Sequence, residues 1–284
     1  MNTNEKPIIA IMYDFDKTLS KSDMQDYGFI PALGMKPEEF WGATGKFQQE
    51  SQMERILSYM YTMVRLSKEK GIKLTRQALN KMGENIDFFD GVETWFDRIN
   101  KYGEEQGVII EHYIISSGTK EIVDGCKIAD KFTQIFGCEF YYDPKTGEPV
   151  WPNLAINYTQ KTQYIYRIRK GITDLMDDTT INTKTESVRI PYENMIYIGD
   201  GMTDIPCMQL VQNNHGHSIA LYTDKNEKAL FKLLDEKRTN VAAPADYTEG
   251  SFLDTSIKDI VAAVAKEAYV RIRTKEFRNK ITHK

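Results

Sequence analysis

The feature that most limits how this chain can fold is the unbroken apolar run Ile8–Tyr13, which stops abruptly at Asp14-Phe15-Asp16. Six β-prone residues with no polar alternation describe a strand covered on both faces, as in a parallel sheet sandwiched by helices. An acidic pair at its carboxyl end stands where open α/β sheets bind ligands. The same arrangement recurs. Residues 108–115 form a second buried strand that ends in Ser116-Ser117-Gly118, and residues 195–198 form another that ends in Gly199-Asp200-Gly201-Met202-Thr203-Asp204.

Between these strands the pattern changes. Residues 36–70 have helical periodicity, with Met53, Ile56, Leu57, Met60 and Val64 on one stripe. Gly71 reads as a stop, and a second helix follows over 75–82. An amphipathic helix runs from Gly91 to Gly107. Further strands are predicted at 135–142 and 218–221, with helices at 161–169 and 203–212. Alternation of this kind predicts an α/β fold with a doubly wound, mostly parallel sheet, a Rossmann-like core of residues 1–20 and 91–284. Residues 21–90 are predicted to be a helical insertion. Residues 171–194 read as a long loop with one short helix, and 266–284 as a solvated helix face, because Glu267 and Glu276 interrupt its basic residues.

Composition narrows the partners. A formal net charge of -4 in 284 residues removes the broad attraction that a nucleic-acid backbone requires, so no nucleic acid is expected. Cys126, Cys138 and Cys207 lack paired spacing and read as reduced packing residues. No segment approaches the length of a membrane span, and the run before Asp14 is too short for a signal sequence, so a cytoplasmic location is expected.

The polar constellations carry chemistry. Asp14 and Asp16, two apart on an extended segment, point the same way, and paired carboxylates with hard oxygen ligands suit Mg²⁺. Ser116, Ser117 and Gly118 provide a hydroxyl and backbone N–H groups at the start of a helix, an anion cradle. Asp200 and Asp204 add two carboxylates beside glycines. Lys161 can neutralise charge on a nucleophile and on phosphoryl oxygens. Singly, each of these is an ordinary turn, cap or solvated side chain. Their order along the chain argues otherwise.

In that order they resemble the four motifs of the haloacid dehalogenase-like hydrolase superfamily, from Asp14 to Asp204. The resemblance implies that Asp14 is a nucleophile and Asp16 the general acid/base. Thr18 completes the Asp-x-Asp-x-Thr signature and, with Ser116, Ser117 and Gly118, is placed with the substrate-binding residues. Lys161 is the motif lysine, and Asp200 and Asp204 form the acidic metal motif. Mg²⁺ would be held by Asp14, the Asp16 backbone carbonyl and Asp200, with Asp204 orienting the shell. A carboxylate at position 16 favours phosphoryl transfer over dehalogenation. The insertion resembles the cap of the phosphoserine phosphatase-like branch, implying a small phosphorylated metabolite as substrate. Where those phosphatases carry Glu five residues after the motif Thr, this chain has Asp23, which speaks against phosphoserine itself; an N-cap or surface position is an equal reading of Asp23. Two alternatives share the fold: phosphotransfer to an alcohol, and a non-catalytic regulatory module. Phe40, Trp41, Phe47, Tyr59 and Tyr61 read as packing more than as pocket lining, and His112, His215 and His217 receive no role.

Overall fold

A computed structural model describes residues 6–184, 188–224, 227, 231 and 234–282. Residues 1–5 of the expected core, 185–187 of the expected loop and the last two residues of the expected solvated helix lie outside the described residues.

Seven strands form one sheet in the order β4-β3-β2-β1-β5-β6-β7. They are β1 (Ile8–Tyr13), β2 (Ile109–Thr119), β3 (Gln134–Tyr142), β4 (Pro149–Leu154), β5 (Met195–Gly199), β6 (His217–Tyr222) and β7 (Val241–Pro244). All neighbours pair in parallel except β3 and β4. The central strand β1 is buried along nearly its whole length, which is why its sequence shows no alternation. After β1 the chain builds outward through β2, β3 and β4, then returns to lay β5 on the other side of β1. The order therefore reverses at β1, and a crevice opens at the carboxyl ends of β1, β2 and β5.

Among the helices that accompany the sheet are α1 (Phe29–Ala32), α2 (Pro37–Ser51), α3 (Arg55–Glu69), α4 (Arg76–Met82), α5 (Val92–Glu105), α6 (Lys120–Asp124), α7 (Lys161–Lys170), α8 (Asp178–Asn182), α9 (Ile205–Asn213) and α10 (Phe252–Thr282). Helices α1 to α4 make up the segment between β1 and β2. Its two ends are stitched together where the Lys21 amide donates to the Asp87 carbonyl and the Phe89 amide to the Leu19 carbonyl, at 2.9 and 3.0 Å. An antiparallel bridge joins Ser20 to Phe88.

Several local expectations change. The predicted 36–70 helix is broken, because Gln52 adopts a left-handed conformation at the end of α2 and the Glu54 carboxylate caps α3 by accepting from the Ile56 and Leu57 amides. The core-facing side of α3 is Tyr59, Met60, Met63 and Leu66, whereas Leu57 faces outward. Phe40 and Tyr59 are buried, as packing residues should be, while Tyr61 lies half in solvent stacked on Phe47 at 4.6 Å. Ser116-Ser117-Gly118 does not open a helix. It continues β2 past a register shift, and α6 begins only at Lys120. The edge strands β4 and β7 carry Pro149, Pro152 and Pro244, which conceal them from pattern reading and suit an edge that needs few ladder donors. Within 171–194 the described residues contain the short helix α8, as expected.

His112 is accounted for by packing. Trp95 Nε1 donates to the Tyr13 hydroxyl at 2.9 Å, and Trp can only donate. The Tyr13 hydrogen therefore points to His112 Nδ1, 3.0 Å away, which leaves the proton on Nε2 to reach Asn100 Oδ1 at 3.0 Å. Burial pushes the imidazole down to about 3, so it stays neutral.

Gly91 sits where the chain re-enters the α/β layer, with φ at +86° and no room for a side chain: an added Cβ would fall 2.4 Å from the Tyr247 carbonyl carbon and oxygen. Gly91→Ala is expected to lose about 2 kcal/mol or more of stability, from the left-handed backbone and the clash together. Urea unfolding of the variant beside wild type checks this; an unchanged midpoint would contradict it.

Candidate active site

Asp14 follows the last residue of β1, and its amide donates to the Ile198 carbonyl of β5 at 3.0 Å, so the nucleophile candidate is pinned between two central strands. Its side chain accepts from the Phe15 amide at 2.8 Å and pairs with Lys161 Nζ at 3.0 Å. Lys161, the first residue of α7, is 1 % exposed and reaches Asp204 Oδ1 at 2.8 Å as well. The Tyr197 hydroxyl on β5 donates to that same Asp204 oxygen at 2.8 Å, and the Gly201 amide to the other at 3.3 Å. Asp14, Asp200 and Asp204 can each bring one carboxylate oxygen within 4.8 Å of the others. Residues nearly two hundred positions apart thus share one small volume.

That volume is electrostatically tense. Burial first, and then the neighbouring Asp204 charge, push the Asp14 carboxyl up to about 6 despite Lys161. Burial, Asp204 and Asp14 push Asp200 up to about 8. Burial alone would depress the Lys161 ammonium, but Asp14 and Asp204 hold it above its ordinary range. The trio fits a divalent cation: hard oxygen donors, converging, with more negative charge than one ammonium offsets. The Asp16 carboxylate is not one of the three.

Asp16 stands instead against the helical segment. Its Oδ1 accepts from the Met24 amide at 2.7 Å, while burial, then Asp23 and Asp14, push its carboxyl well above the ordinary range. Its other oxygen faces Gly118. A Cβ at 118 would lie 3.1 Å from Asp16 Oδ2 and 2.0 Å from Met24 Cε, so a larger residue there would displace the Met24 side chain and crowd Asp16. Ser116 is fully buried and its hydroxyl accepts from the Gly118 amide at 2.9 Å; the partly exposed Ser117 offers its carbonyl to the Tyr59 hydroxyl at 2.8 Å. Thr18 is buried, and its hydroxyl finds no hydrogen-bond partner among the described residues. Asp23 makes no side-chain cap; both its oxygens take Lys17 Nζ at 2.8 Å.

The structure thus brings Asp14, Lys161, Asp200 and Asp204 into one cluster, with Asp16 and Gly118 beside it. Sequence reasoning missed Tyr197, and it read Tyr59 as packing more than as pocket lining. Tyr197 had a faint signal, a phenol in a strand otherwise built of aliphatic residues just before Asp200. Tyr59 could not be told from the other aromatics of its segment, since one aromatic on a helical stripe looks like any other.

No family model matches the chain. It is similar in structure to a HAD family hydrolase from Salmonella enterica subsp. enterica serovar Typhi (TM-score 0.56, 16% identity, 91% of this chain and 72% of that one). It is also similar to a phosphoserine phosphatase solved as a phospho-aspartyl intermediate analogue (0.52, 19%, 84% and 93%), and to a cytosolic 5'-nucleotidase IIIB bound to cytidine (0.53, 14%, 92% and 87%). The chain shares the fold of this HAD family hydrolase, this phosphoserine phosphatase and this nucleotidase. An uncharacterized protein of Borreliella burgdorferi (strain ATCC 35210 / DSM 4680 / CIP 102532 / B31) is 31% identical over 285 residues, spanning 89% of this chain and 96% of that protein. The chain belongs to the same family as that protein.

The raised carboxyls set a pH dependence. A carboxyl whose folded pKa lies above its unfolded value of 3.8 stabilises the fold below that value, and the contribution is lost as pH rises through about 6 for Asp14 and about 8 for Asp200. In chelator, Asp200→Asn is therefore expected to melt higher than wild type at pH 8 and to converge with it at pH 4. Mg²⁺ should raise the melting temperature of wild type at pH 8 and leave the variant nearly unmoved. Scanning calorimetry at both pH values checks this; a variant that melts lower at pH 8 would contradict it.

Proposed function

We propose that this chain is a Mg²⁺-dependent phosphatase that hydrolyses a small phosphomonoester through an aspartyl-phosphate on Asp14. The observation that carries the reading is the buried contact of Lys161 Nζ with Asp14 Oδ1, 3.0 Å apart, beside a carboxylate trio suited to a divalent cation. A carboxylate nucleophile must be ionised and must meet a phosphoryl group whose own negative charge repels it. Lys161 favours the ionised form of Asp14 and faces the site of transfer.

Asp16 supplies the proton chemistry in this reading. Burial, then Asp23 and Asp14, hold its carboxyl well above the ordinary range, which favours the protonated form that can donate to the leaving oxygen. Having lost that proton, it can take one from the water that attacks the aspartyl-phosphate. The Met24 amide on Oδ1 leaves the second oxygen for both transfers. Ser116, Ser117, Gly118 and Thr18 are assigned to the substrate's phosphate, and among them Ser117 and Gly118 lie along the face of β2 that meets Asp16 and the helical segment. Mg²⁺ would be held by Asp14, the Asp16 carbonyl and Asp200, with Asp204 orienting the shell, and when bound would offset the charge of the transferring phosphoryl group.

Residues 21–90 act in this proposal as a cap. Support comes from the two stitched ends of the segment and from Met24 and Tyr59, which contact Asp16 and Ser117. A site with Asp14 only 7 % exposed and the cap in contact suits a small metabolite and not a polymer. The cytoplasmic setting belongs to the same proposal, supported by three cysteines that are all free and buried. No helix among the described residues is long and apolar enough to cross a membrane.

Hydrolysis of an aryl phosphate by wild type and by Asp14→Asn, with Mg²⁺ and with chelator, tests the reading. Turnover in Mg²⁺ that falls at least about 10³-fold in the variant and disappears with chelator is the expected outcome. Comparable turnover by Asp14→Asn would remove the nucleophile and the proposal with it.

A further inference from the structure

The loop that carries Asp14 and Asp16 is gripped at both ends by one pair of buried rings. At its entry, Trp95 Nε1 donates to the hydroxyl of Tyr13, the residue just before Asp14. At its exit, the Tyr247 hydroxyl donates to the Thr18 carbonyl at 2.8 Å, across 229 positions of sequence. Trp95 and Tyr247 pack edge to face, with centroids 5.0 Å apart and planes at 87°, and neither is exposed to solvent. Between the grips the chain turns tightly: Lys17 takes φ of +59°, and the Phe15 carbonyl accepts from the Thr18, Leu19 and Ser20 amides at 3.3, 2.9 and 3.2 Å.

Tyr247 is itself held independently of that loop. Its amide donates to the Asp90 carbonyl at 2.9 Å, and its carbonyl accepts from Arg98, whose guanidinium also pairs with the buried Asp254 at the start of α10. Asp254 in turn takes Lys258 at 2.7 Å and the Gly250 amide at 3.0 Å. The phenol is therefore a fixed point, and the Thr18 carbonyl has a fixed partner. A buried carbonyl deprived of that partner would seek another by moving the backbone, because leaving it unsatisfied costs more than the bond is worth.

We propose that Tyr247 is a positioning residue: through the Thr18 carbonyl its hydroxyl sets where Asp16 stands relative to Asp14. The ring supplies packing, as any buried aromatic does, but the hydroxyl is spent on the one loop that bears both carboxylates. The inference deepens the phosphatase reading and rests on it. Proton transfer to the leaving oxygen depends on sub-ångström placement of Asp16, and a displacement near 1 Å can cost on the order of 10²-fold in rate. Three of the four residues assigned to the substrate's phosphate, Ser116, Ser117 and Gly118, lie on β2 outside the loop, and only Thr18 lies within it, so substrate binding should suffer less than turnover.

The experiment compares Tyr247→Phe with Ile257→Val, a change of similar size at a fully buried position on α10 that touches no loop residue in this account. Two readouts are taken on the full chain: aryl-phosphate kinetics in Mg²⁺, and hydrogen exchange of the peptide covering residues 14–20. Tyr247→Phe should lower kcat ten- to a hundredfold with a smaller change in KM, and should speed exchange in 14–20 about tenfold; Ile257→Val should do neither at a comparable loss of melting temperature. Unchanged exchange in Tyr247→Phe would overturn the proposal, as would faster exchange with kcat within twofold of wild type. A wild type without turnover would count against the phosphatase reading alone, because the exchange comparison still decides whether Tyr247 holds the loop.

Discussion

One buried ammonium makes the rest of this site tenable. Lys161 lies between Asp14 and Asp204 with almost no exposure, and removing water from those charges is worthwhile only because each carboxylate finds the same nitrogen within 3.0 Å. The account is not neutral, however. Three carboxylates against one ammonium leave two negative charges when all are ionised, and the protein alone answers by raising the carboxyls of Asp14 and Asp200. Repulsion of that kind suits a site for a divalent cation, as the proposed phosphatase requires.

The sheet supplies the convergence. Parallel strands deliver their carboxyl ends to one edge, and reversal of strand order at β1 opens that edge between β2 and β5. Asp14 and Asp200 arrive there from adjacent strands, Lys161 from the start of α7, and Asp204 from the turn into α9. The helical segment between β1 and β2 closes over the same edge, its Met24 amide on Asp16 and its Tyr59 hydroxyl on Ser117. In the proposed phosphatase, substrate selection would fall to side chains of that segment, because specificity lies in the site and not in the shared fold. Asp23 illustrates the point. Both its oxygens pair with Lys17, so it presents an ion pair close enough to Asp16 to act on that carboxyl.

Much of this was legible in the sequence, for definable reasons. Strand β1 is read residue for residue because full burial on both faces leaves no polar position to blur its ends. Lys161 and Asp200 are legible through order and type alone. The edge strands were not, since prolines and half-exposed residues erase the periodic signal, and the break at Gln52 was not, since a single left-handed residue leaves no periodic trace. Ser116-Ser117-Gly118 looked like a helix start because Ser and Gly favour caps, yet strand pairing with β3 carried β2 through them.

What the sequence determined by itself was the set of chemical groups and their order: carboxylates after buried strands, a lysine at a helix start, glycines where nothing larger fits. Those follow from local rules, periodicity of burial and the few residue types able to do the chemistry. Tertiary structure decided which groups share a volume and in what state of charge. The pairing of Lys161 with two carboxylates, the Tyr197 bond to Asp204 and the reach of Tyr247 to Thr18 each join segments far apart in the chain. Contacts of that kind depend on how helices pack on a twisted sheet to within an ångström, and no local pattern of residues encodes that distance.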